Sequence, residues 1–423
     1  MTFGRIAFSL WQWLIGESSH HRSISEFAPK SYLQETSEGG HVISSAKLNA
    51  AAEFNRKARA LSVAFDAIHP VARQPDLHGR DEQLEMLFET VLQNGSHAVI
   101  HGQRGSGKTS LARMFGYHAD RKNAVVIYSA AESSANFAEL FGTLVEQLPT
   151  SCVRHFDWEE WRRLNSLLKE NFRPRPLVEL LSQVSPANQV IYILDEFDRI
   201  IDSKVLEDIS TTMKLMSDAT VPVQIVLVGI AGSAEQLIIN HPSLLRHIGI
   251  VSVGQISSAS TNAMIESGAR QAGISFCDES RKFIADISCG SPFHVRLFCH
   301  RSGLEALRAH RDYVDLAIAR NAVEATIVSW AKANRRDWEL LQKVAQGDLL
   351  TIHHTIELLR REAKCDQFES EPVLGRSSSQ LTAHSNRSPF TFGNSVSLQF
   401  FVAALTLRLE EMDHRQALSR GGE

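Results

Sequence analysis

Two short segments, far apart in the chain, contain the residues best suited to chemistry. The first, GQRGSGKTS (102–110), is rich in glycine and ends in a lysine and two hydroxyl groups. The second, QVIYILDEFDRI (189–200), places an apolar run directly before Asp195, Glu196 and Asp198. Carboxylates at the end of a buried strand are costly unless a positive charge meets them. The spacing therefore raises the question of which cation lies opposite these acids.

The glycine-rich segment has the context of a phosphate-binding loop. It follows a short apolar strand, HAVIHG (97–102), precedes a helical pattern, and matches G-x-x-x-x-G-K-[ST]. In such a loop the backbone N–H groups and the positive end of the helix dipole face phosphate oxygens. Lys108 would reach the β- and γ-phosphates, and the Thr109 hydroxyl would ligate Mg²⁺. The nucleotide-binding residues predicted here are Gly102, Gln103, Arg104, Gly105, Ser106, Gly107, Lys108, Thr109 and Ser110.

The three acids of the second segment receive different predictions. We expect the strand 189–194 to lie beside the phosphate-loop strand, so that Asp195 emerges at the same edge of the sheet. Asp195 would then hold Mg²⁺ through water. Glu196 can accept a proton from water that attacks the γ-phosphate, so it is the predicted general base and favours hydrolysis. Asp198 is interpreted as a solvated or helix-capping acid.

The elements that must position these residues alternate along the chain. Apolar, β-rich runs at 97–102, 124–130, 189–194, 221–232 and 250–256 are separated by helical patterns. This alternation predicts a parallel sheet covered by helices on both faces, that is, an α/β fold. After about residue 258 we expect no further strands.

Domain boundaries follow from the same pattern in the 423 residues. Residues 1–68 form a helical and linker region, with helical periodicity at 44–68 and an apolar segment at 3–16. That apolar segment is interpreted as a helix docked on the protein's own core, with a partner-docking or membrane-surface helix as the alternative. The core spans 69–257 and contains a helical insertion at 151–188. A helical lid at 258–310 and a C-terminal helical domain at 311–423 follow it.

Composition narrows the class of partner. A formal net charge of −4 gives no global sign of nucleic-acid binding. The five cysteines are scattered without a CxxC motif, which indicates a reducing, cytoplasmic setting.

Taken together, these motifs resemble those of AAA+ ATPases, in the origin-recognition-like branch that grades into signalling ATPases of the STAND type. The matching segments are HGRDEQL (78–84), GQRGSGKTS, YILDEFDRI and GSPFHVRLF (290–298), and the resemblance covers roughly 70–310. It implies a P-loop NTPase αβα sandwich with a five-stranded parallel sheet, a helical lid and often a winged helix after it. ATP and Mg²⁺ are the ligands that the family implies.

The resemblance also implies roles for single residues. The backbone around Gly79 and Arg80 would line the adenine pocket. Arg246, just before the fifth strand, lies where an arginine finger would reach the γ-phosphate of a neighbouring subunit, which implies a homo-oligomer; a surface or capping arginine is the alternative. Arg296 falls where a second sensor arginine contacts phosphate, although an ordinary cation on a helix face would read the same way.

Two departures from the family pattern stand out. The end of the fourth strand reads GIAGSAE, where Gly232 has no side chain and only Ser233 could position water as a first sensor. The helices at 151–188 make the stretch of sequence between Lys108 and Asp195 longer than a minimal core needs. We interpret these helices as an insertion that could form a partner-binding surface.

Three functions follow from the residues and the resemblance. The first is an ATP-hydrolysing switch whose nucleotide state controls assembly or partner binding. The second is DNA binding through a winged helix, in which HHTIELLRREAK (353–364) would be the recognition helix. The third is a slow or non-hydrolysing, nucleotide-gated signalling protein that recruits an effector.

Overall fold

The computed structural model describes residues 45–71, 76–153, 158–229, 242–364 and 396–420. The described part begins with helix α1 (Ser45–Ala64), as the periodicity of 44–68 predicts. Two predictions lie outside the described residues, namely those on the apolar segment 3–16 and on Ser233.

Five parallel strands form the central sheet of the described residues. They are β1 (His97–His101), β2 (Val125–Ala130), β3 (Val190–Asp195), β4 (Val223–Gly229) and β5 (Ile248–Ser252), in the order β2-β3-β4-β1-β5. Every residue of β1, β3 and β4 is buried, because helices cover both faces of the sheet. The predicted αβα architecture with a five-stranded parallel sheet is confirmed.

The predicted neighbour of the phosphate-loop strand is wrong. β4 lies between β1 and β3, pairing with β3 on one side and with β1 on the other. All of these strands run parallel, so the carboxyl ends of β1 and β3 still lie at the same edge of the sheet. The consequence drawn from the wrong order, that Asp195 emerges at the edge of the phosphate loop, therefore holds.

Helices pack on the two faces of this sheet. One face carries α2 (Asp81–Leu87), a π-helical turn (Phe88–Gln93) and α3 (Lys108–Asp120), and the other carries α4 (Phe137–Gln147), α5 (Trp158–Glu170), α6 (Pro174–Leu181) and α7 (Ser203–Asp218). Along β3, Ile193 faces the α3 side and Tyr192 the opposite side, the period of two expected of a strand. The helices α5 and α6 fall in the segment predicted as a helical insertion.

The segment predicted as the lid contains α8 (Ser258–Ala272), α9 (Asp278–Ser288) and α10 (Pro292–Arg308), and α1 packs across α8 and α10. Two glycines allow the close approach of α1. A Cβ at Gly268 would lie 2.4 Å from the ring of Phe65, the residue directly after α1, and a Cβ at Gly303 would lie 2.6 Å from Leu61 of α1. Both Phe65 and Leu61 are buried in the same apolar cluster as the lid helices. The helix α1 is therefore packed as part of the lid.

The C-terminal helices continue the core of the lid. They are α11 (Leu316–Ala333), α12 (Arg335–Ala345), α13 (Leu349–Lys364) and α14 (Ser397–Arg420), and they share one apolar cluster with the lid helices. Two short strands, β6 (Ser275–Phe276) and β7 (Tyr313–Val314), pair in parallel, so the expectation of no strands after about residue 258 is wrong. Across the described ranges, no helix combines the length and the apolar character needed to cross a bilayer.

Candidate functional site

The loop between β1 and α3 has a backbone that requires glycine. Gly102 has φ 156°, and a Cβ there would lie 2.3 Å from the carbonyl oxygen of Val253. Gly107, the residue before α3, has φ 96°, in the left-handed region that favours glycine. The loop therefore curls into a concave backbone surface directly before the positive end of the α3 dipole.

Lys108 is folded back onto this loop. Its Nζ donates to the carbonyl oxygens of Gly102 at 3.0 Å and Gln103 at 2.9 Å. Burial lowers the pKa of Lys108 to about 8, although Asp198 and then Asp195 oppose that shift through their negative charge. The ammonium group thus donates to two backbone carbonyls of the loop, and phosphate oxygens could take the place of these acceptors.

Arg80 fixes the loop from the other side. It is almost fully buried, and its Nη2 donates to the carbonyl oxygens of Ser106 at 2.8 Å and of Gly254 at 2.6 Å. These bonds join the phosphate loop to the chain just after β5. The resemblance placed only the backbone of this region near a ligand, whereas the structure gives the Arg80 side chain a structural task.

Asp195 ends β3 and is held through both carboxylate oxygens. The backbone N–H of Glu196 donates to Oδ1 at 2.7 Å, and the hydroxyl of Tyr128 donates to Oδ2. Burial, and then the hydrogen bond to Asp195, raise the pKa of the Tyr128 phenol. The Asp195 carboxylate is buried at the edge of the sheet where the phosphate loop begins.

Glu196 has an unusual backbone and an ion pair. It lies at φ 55° and ψ 31°, a conformation that is uncommon for a residue with a side chain and that often marks a functional site. Its Oε2 is 3.1 Å from Nε of Arg199, and the side chain is half-exposed. The predicted base is thus tethered to a neighbouring cation.

Asp198 is not the solvated bystander that we predicted. Only 13% of its side chain is exposed, and its Oδ2 lies 3.8 Å from Nη2 of Arg104 in the phosphate loop. It is also the acid that most strongly opposes the lowering of the Lys108 pKa. The turn after β3 directs Asp198 toward the loop, which its position in the sequence could not indicate.

These side chains line one cavity of about 780 Å³ at the carboxyl edge of the sheet. Its other walls are the turn at 66–71, residues 76–78 and the start of α10. Asp66 stabilises that turn, since its Oδ1 accepts from the backbone N–H of Ile68 and of His69. The volume is within the range of small-molecule and cofactor sites.

The residues present fit a nucleotide with a divalent cation. Ser106 in the loop has a buried hydroxyl that makes no hydrogen bond among the described residues. Thr109 and Asp195 both line the cavity, and they offer the oxygen ligands that Mg²⁺ prefers. The glycine-rich loop and Lys108 offer the donors that phosphate requires.

Comparison with protein families agrees with this geometry. Residues 91–238 match the model of a family described as an AAA domain. This chain carries an AAA+ P-loop domain. A domain of this kind agrees with a glycine-rich loop and an acid pair at one sheet edge. A search of curated proteins found no match.

Solved structures with a similar fold share little sequence with the AAA+ chain. Cdc6p from Pyrobaculum aerophilum is 16% identical with a TM-score of 0.48, covering 84% of this chain and 89% of that one. The ORC2 protein of Aeropyrum pernix, in ADPNP–ADP complexes, is 19% identical with a TM-score of 0.43, covering 70% and 76%. The RuvB Holliday junction branch migration motor of Thermotoga maritima is 14% identical with a TM-score of 0.43, covering 63% and 74%.

The lid arginine of the AAA+ chain holds the cavity wall. Arg296 donates to the backbone carbonyls of Asp66 and Asp76, each at 3.0 Å, and its guanidinium also lines the cavity. Burial lowers the pKa of Arg296. In this conformation its hydrogen bonds join the lid to the segment that forms the far wall.

The predicted arginine finger lies away from the cavity of its own chain. Arg246 is exposed at the end of a 3₁₀ helix (Pro242–Arg246), directly before β5. It is not among the residues that line the cavity, so the predicted role would require a second copy of the chain. The predicted first sensor, Ser233, lies outside the described residues.

Two residues of the site were missed from the sequence. Tyr128 bonds to Asp195, and Arg113 lies over the Tyr128 ring at 5.0 Å from its centroid. The relevant signal was that Tyr128 is close to the end of the second strand. It could be used only once β2 and β3 were known to be neighbours.

Proposed function

We propose that this AAA+ chain binds ATP with Mg²⁺ in the cavity between its core and lid, hydrolyses it, and uses the nucleotide state to switch assembly or partner binding. The observation that carries this proposal is the convergence of Lys108, Thr109, Asp195 and Glu196 on one cavity that residues of the lid also line. Only a phosphorylated ligand with a cation gives all four residue types a task.

Each residue has a defined part in this proposal. Lys108 exchanges the carbonyl oxygens of Gly102 and Gln103 for phosphate oxygens. Thr109 and Asp195 hold the cation, which offsets the negative charge of the phosphates when it is bound. The backbone N–H groups of the loop orient the phosphate chain.

Glu196 is the proposed base for the attacking water. Its ion pair with Arg199 holds the carboxylate in place, so release of that pair would free the base to accept a proton. Arg246 would act on the site of a neighbouring copy, which makes hydrolysis dependent on assembly.

Two substitutions separate binding from turnover. We expect Lys108→Ala to abolish binding of ATP, with Lys169→Ala on the exposed face of α5 as a control that retains it. We expect Glu196→Gln to bind ATP normally and to lose about 10²–10⁴-fold in turnover. Glu339→Gln on α12 is the matched control. Unchanged turnover in Glu196→Gln would refute its role as the base.

Assembly can be tested separately from chemistry. We expect the mass of the wild-type protein in solution to rise when ATP is added. Arg246→Ala should bind ATP with unchanged affinity but hydrolyse it more slowly at concentrations where the wild type assembles. A turnover rate of Arg246→Ala that equals the wild-type rate in the assembled state would exclude a trans arginine.

A slow, nucleotide-gated switch is the second candidate. It is favoured by a contact between the phosphate loop and the C-terminal helices, in which the side-chain amide of Gln103 donates to the backbone carbonyl of Glu362 on α13 at 3.3 Å. This contact joins the loop directly to the C-terminal helices. Tight ATP binding with turnover below about 0.01 per second would favour this candidate over fast hydrolysis.

DNA binding through α13 is a further proposed output. The helix exposes His353, His354 and Arg361, but Arg360 is paired with Glu357 at 3.2 Å. A gel shift that weakens steeply with salt would support it, because phosphate contacts release counterions. No shift at low salt with ATP present would exclude it.

A further inference from the structure

The Asp195 carboxylate is oriented by a residue outside the AAA+ sequence motifs. Tyr128 lies on β2, opposite Ile193 of β3 in the strand register and therefore diagonal to Asp195. Since side chains alternate along a strand, Ile193 and Asp195 point to the face of the sheet that α3 covers. Tyr128 also packs on that face, which is why its hydroxyl reaches Oδ2 of Asp195.

A second contact restrains the tyrosine itself. Arg113 of α3 places its guanidinium over the face of the Tyr128 ring. A cation over an aromatic face is attracted to it, which restricts the ring to one position. Arg113, Tyr128 and Asp195 therefore form a continuous row along the cavity wall.

The hydrogen bonds define what Asp195 has left to offer. An ionised carboxylate has about four lone-pair sites. One is used by the N–H of Glu196 and one by the hydroxyl of Tyr128, and these two bonds prevent rotation of the carboxylate. Asp195 lines the cavity, so the remaining lone-pair sites are available to a ligand bound there. A phenol at neutral pH is protonated, so Tyr128 is the donor in this hydrogen bond.

We propose that Tyr128 is a positioning residue that orients the Asp195 carboxylate for a divalent cation at the phosphate loop. This inference rests on the proposed function, because it assumes that Asp195 holds the cation. Groups that orient ligands in this way typically contribute about 10–100-fold to metal affinity. Tyr128 should therefore affect how the site uses Mg²⁺ and have little effect on phosphate binding by Lys108 and the loop.

The test measures binding of ADP to the full chain, first in EDTA and then with increasing Mg²⁺. For Tyr128→Phe we expect the metal-free dissociation constant of ADP to stay within about twofold of wild type. The Mg²⁺ concentration at half-maximal effect should rise by about 10–100-fold. The control is Tyr192→Phe, since Tyr192 is buried on the opposite face and donates its hydroxyl to the carbonyl of Leu140. It should match the wild type in Mg²⁺ dependence.

The outcomes distinguish this inference from the proposed function. A Tyr128→Phe protein with the Mg²⁺ half-saturation of the wild type would overturn the positioning role while leaving Asp195 as the cation ligand. A wild-type protein that does not bind ADP, or binds it without any Mg²⁺ dependence, would remove both. If Tyr128→Phe fails to fold, Arg113→Met tests the same row of residues. In that variant the Mg²⁺ concentration at half-maximal effect should rise by about two- to fivefold. No increase in that variant would count against the proposal.

Discussion

The helix α1 is joined to the lid by a contact that a single methyl group should disturb. A Cβ at Gly268 would lie 2.4 Å from one atom of the Phe65 ring and 2.6 Å from the next, closer than packed atoms approach. Phe65 has little freedom to move, because it is 2% exposed and meets Phe276 edge to face at 6.0 Å. We expect Gly268→Ala to destabilise the lid by about 1–3 kcal/mol through overpacking.

The sign of this effect should reverse when the ring is removed. Phe65→Ala alone should cost about 3–5 kcal/mol as a buried large-to-small change. With the ring absent, alanine at position 268 fills vacated space in a helix, and it should then stabilise by about 0.5–1 kcal/mol. The coupling between the two sites is therefore about 1.5–4 kcal/mol.

The assay should report on the lid alone, because a chain with several structural units need not unfold in one step. Hydrogen exchange in α8 and α10 gives the free energy of local opening for the single and double variants. Gly142→Ala is the matched control, since that helical glycine has no atom within 4 Å of its added Cβ, and it should stabilise α4 slightly. If Gly268→Ala changes the free energy of local opening equally in the wild type and in Phe65→Ala, the contact between the two residues is refuted. Phe65→Leu replaces Phe65→Ala if the latter does not fold.

Three further predictions concern the core and the loop. Burial lowers the pKa of His97 to about 4, so the folded state favours the neutral imidazole. The free energy of unfolding should therefore be highest above pH 6.5 and fall by about 3 kcal/mol as the pH falls from 6.5 to 4. Unfolding measured as a function of pH should show a smaller fall in His97→Gln. Arg80→Lys should weaken ADP binding measured by calorimetry. A single lysine nitrogen on a shorter effective reach cannot keep the Nη2 bonds to Ser106 and Gly254 together with the Nη1 bond to Gly79. Equal affinity would contradict the role of Arg80 in fixing the loop. Gln103→Ala should increase hydrogen exchange at the carboxyl end of α13 by about two- to tenfold, the equivalent of one hydrogen bond, and unchanged exchange would show that the contact contributes nothing.

Local spacing in the sequence was enough to predict the loop between β1 and α3 and the acids at the end of β3. Glycine at 102 and 107 serves a backbone conformation, and the strand–loop–helix order puts Lys108 at the start of α3. The apolar runs likewise predicted the sheet, since strands buried on both faces must be apolar throughout. These inferences needed no knowledge of how distant segments pack.

The order of the strands could not be predicted in this way, because it depends on contacts between segments that are distant in the chain. The expected pairing of β3 with β1 was wrong, and Tyr128 was missed for the same reason, since its partner is one strand away. Asp198 was misjudged because its direction is set by the turn after Glu196, whose left-handed backbone cannot be inferred from residue type.

The sequence by itself determined which residues the proposed site contains: a glycine-rich loop with a lysine, a carboxylate at a strand end and a glutamate after it. These properties follow from residue types at short spacing, where the backbone leaves few alternatives. Only the tertiary structure decided that α1 belongs with the lid, that Arg296 bonds to the cavity wall, and that Gln103 reaches α13. Each of these contacts joins segments separated by many residues, and close packing of the folded chain brings them together.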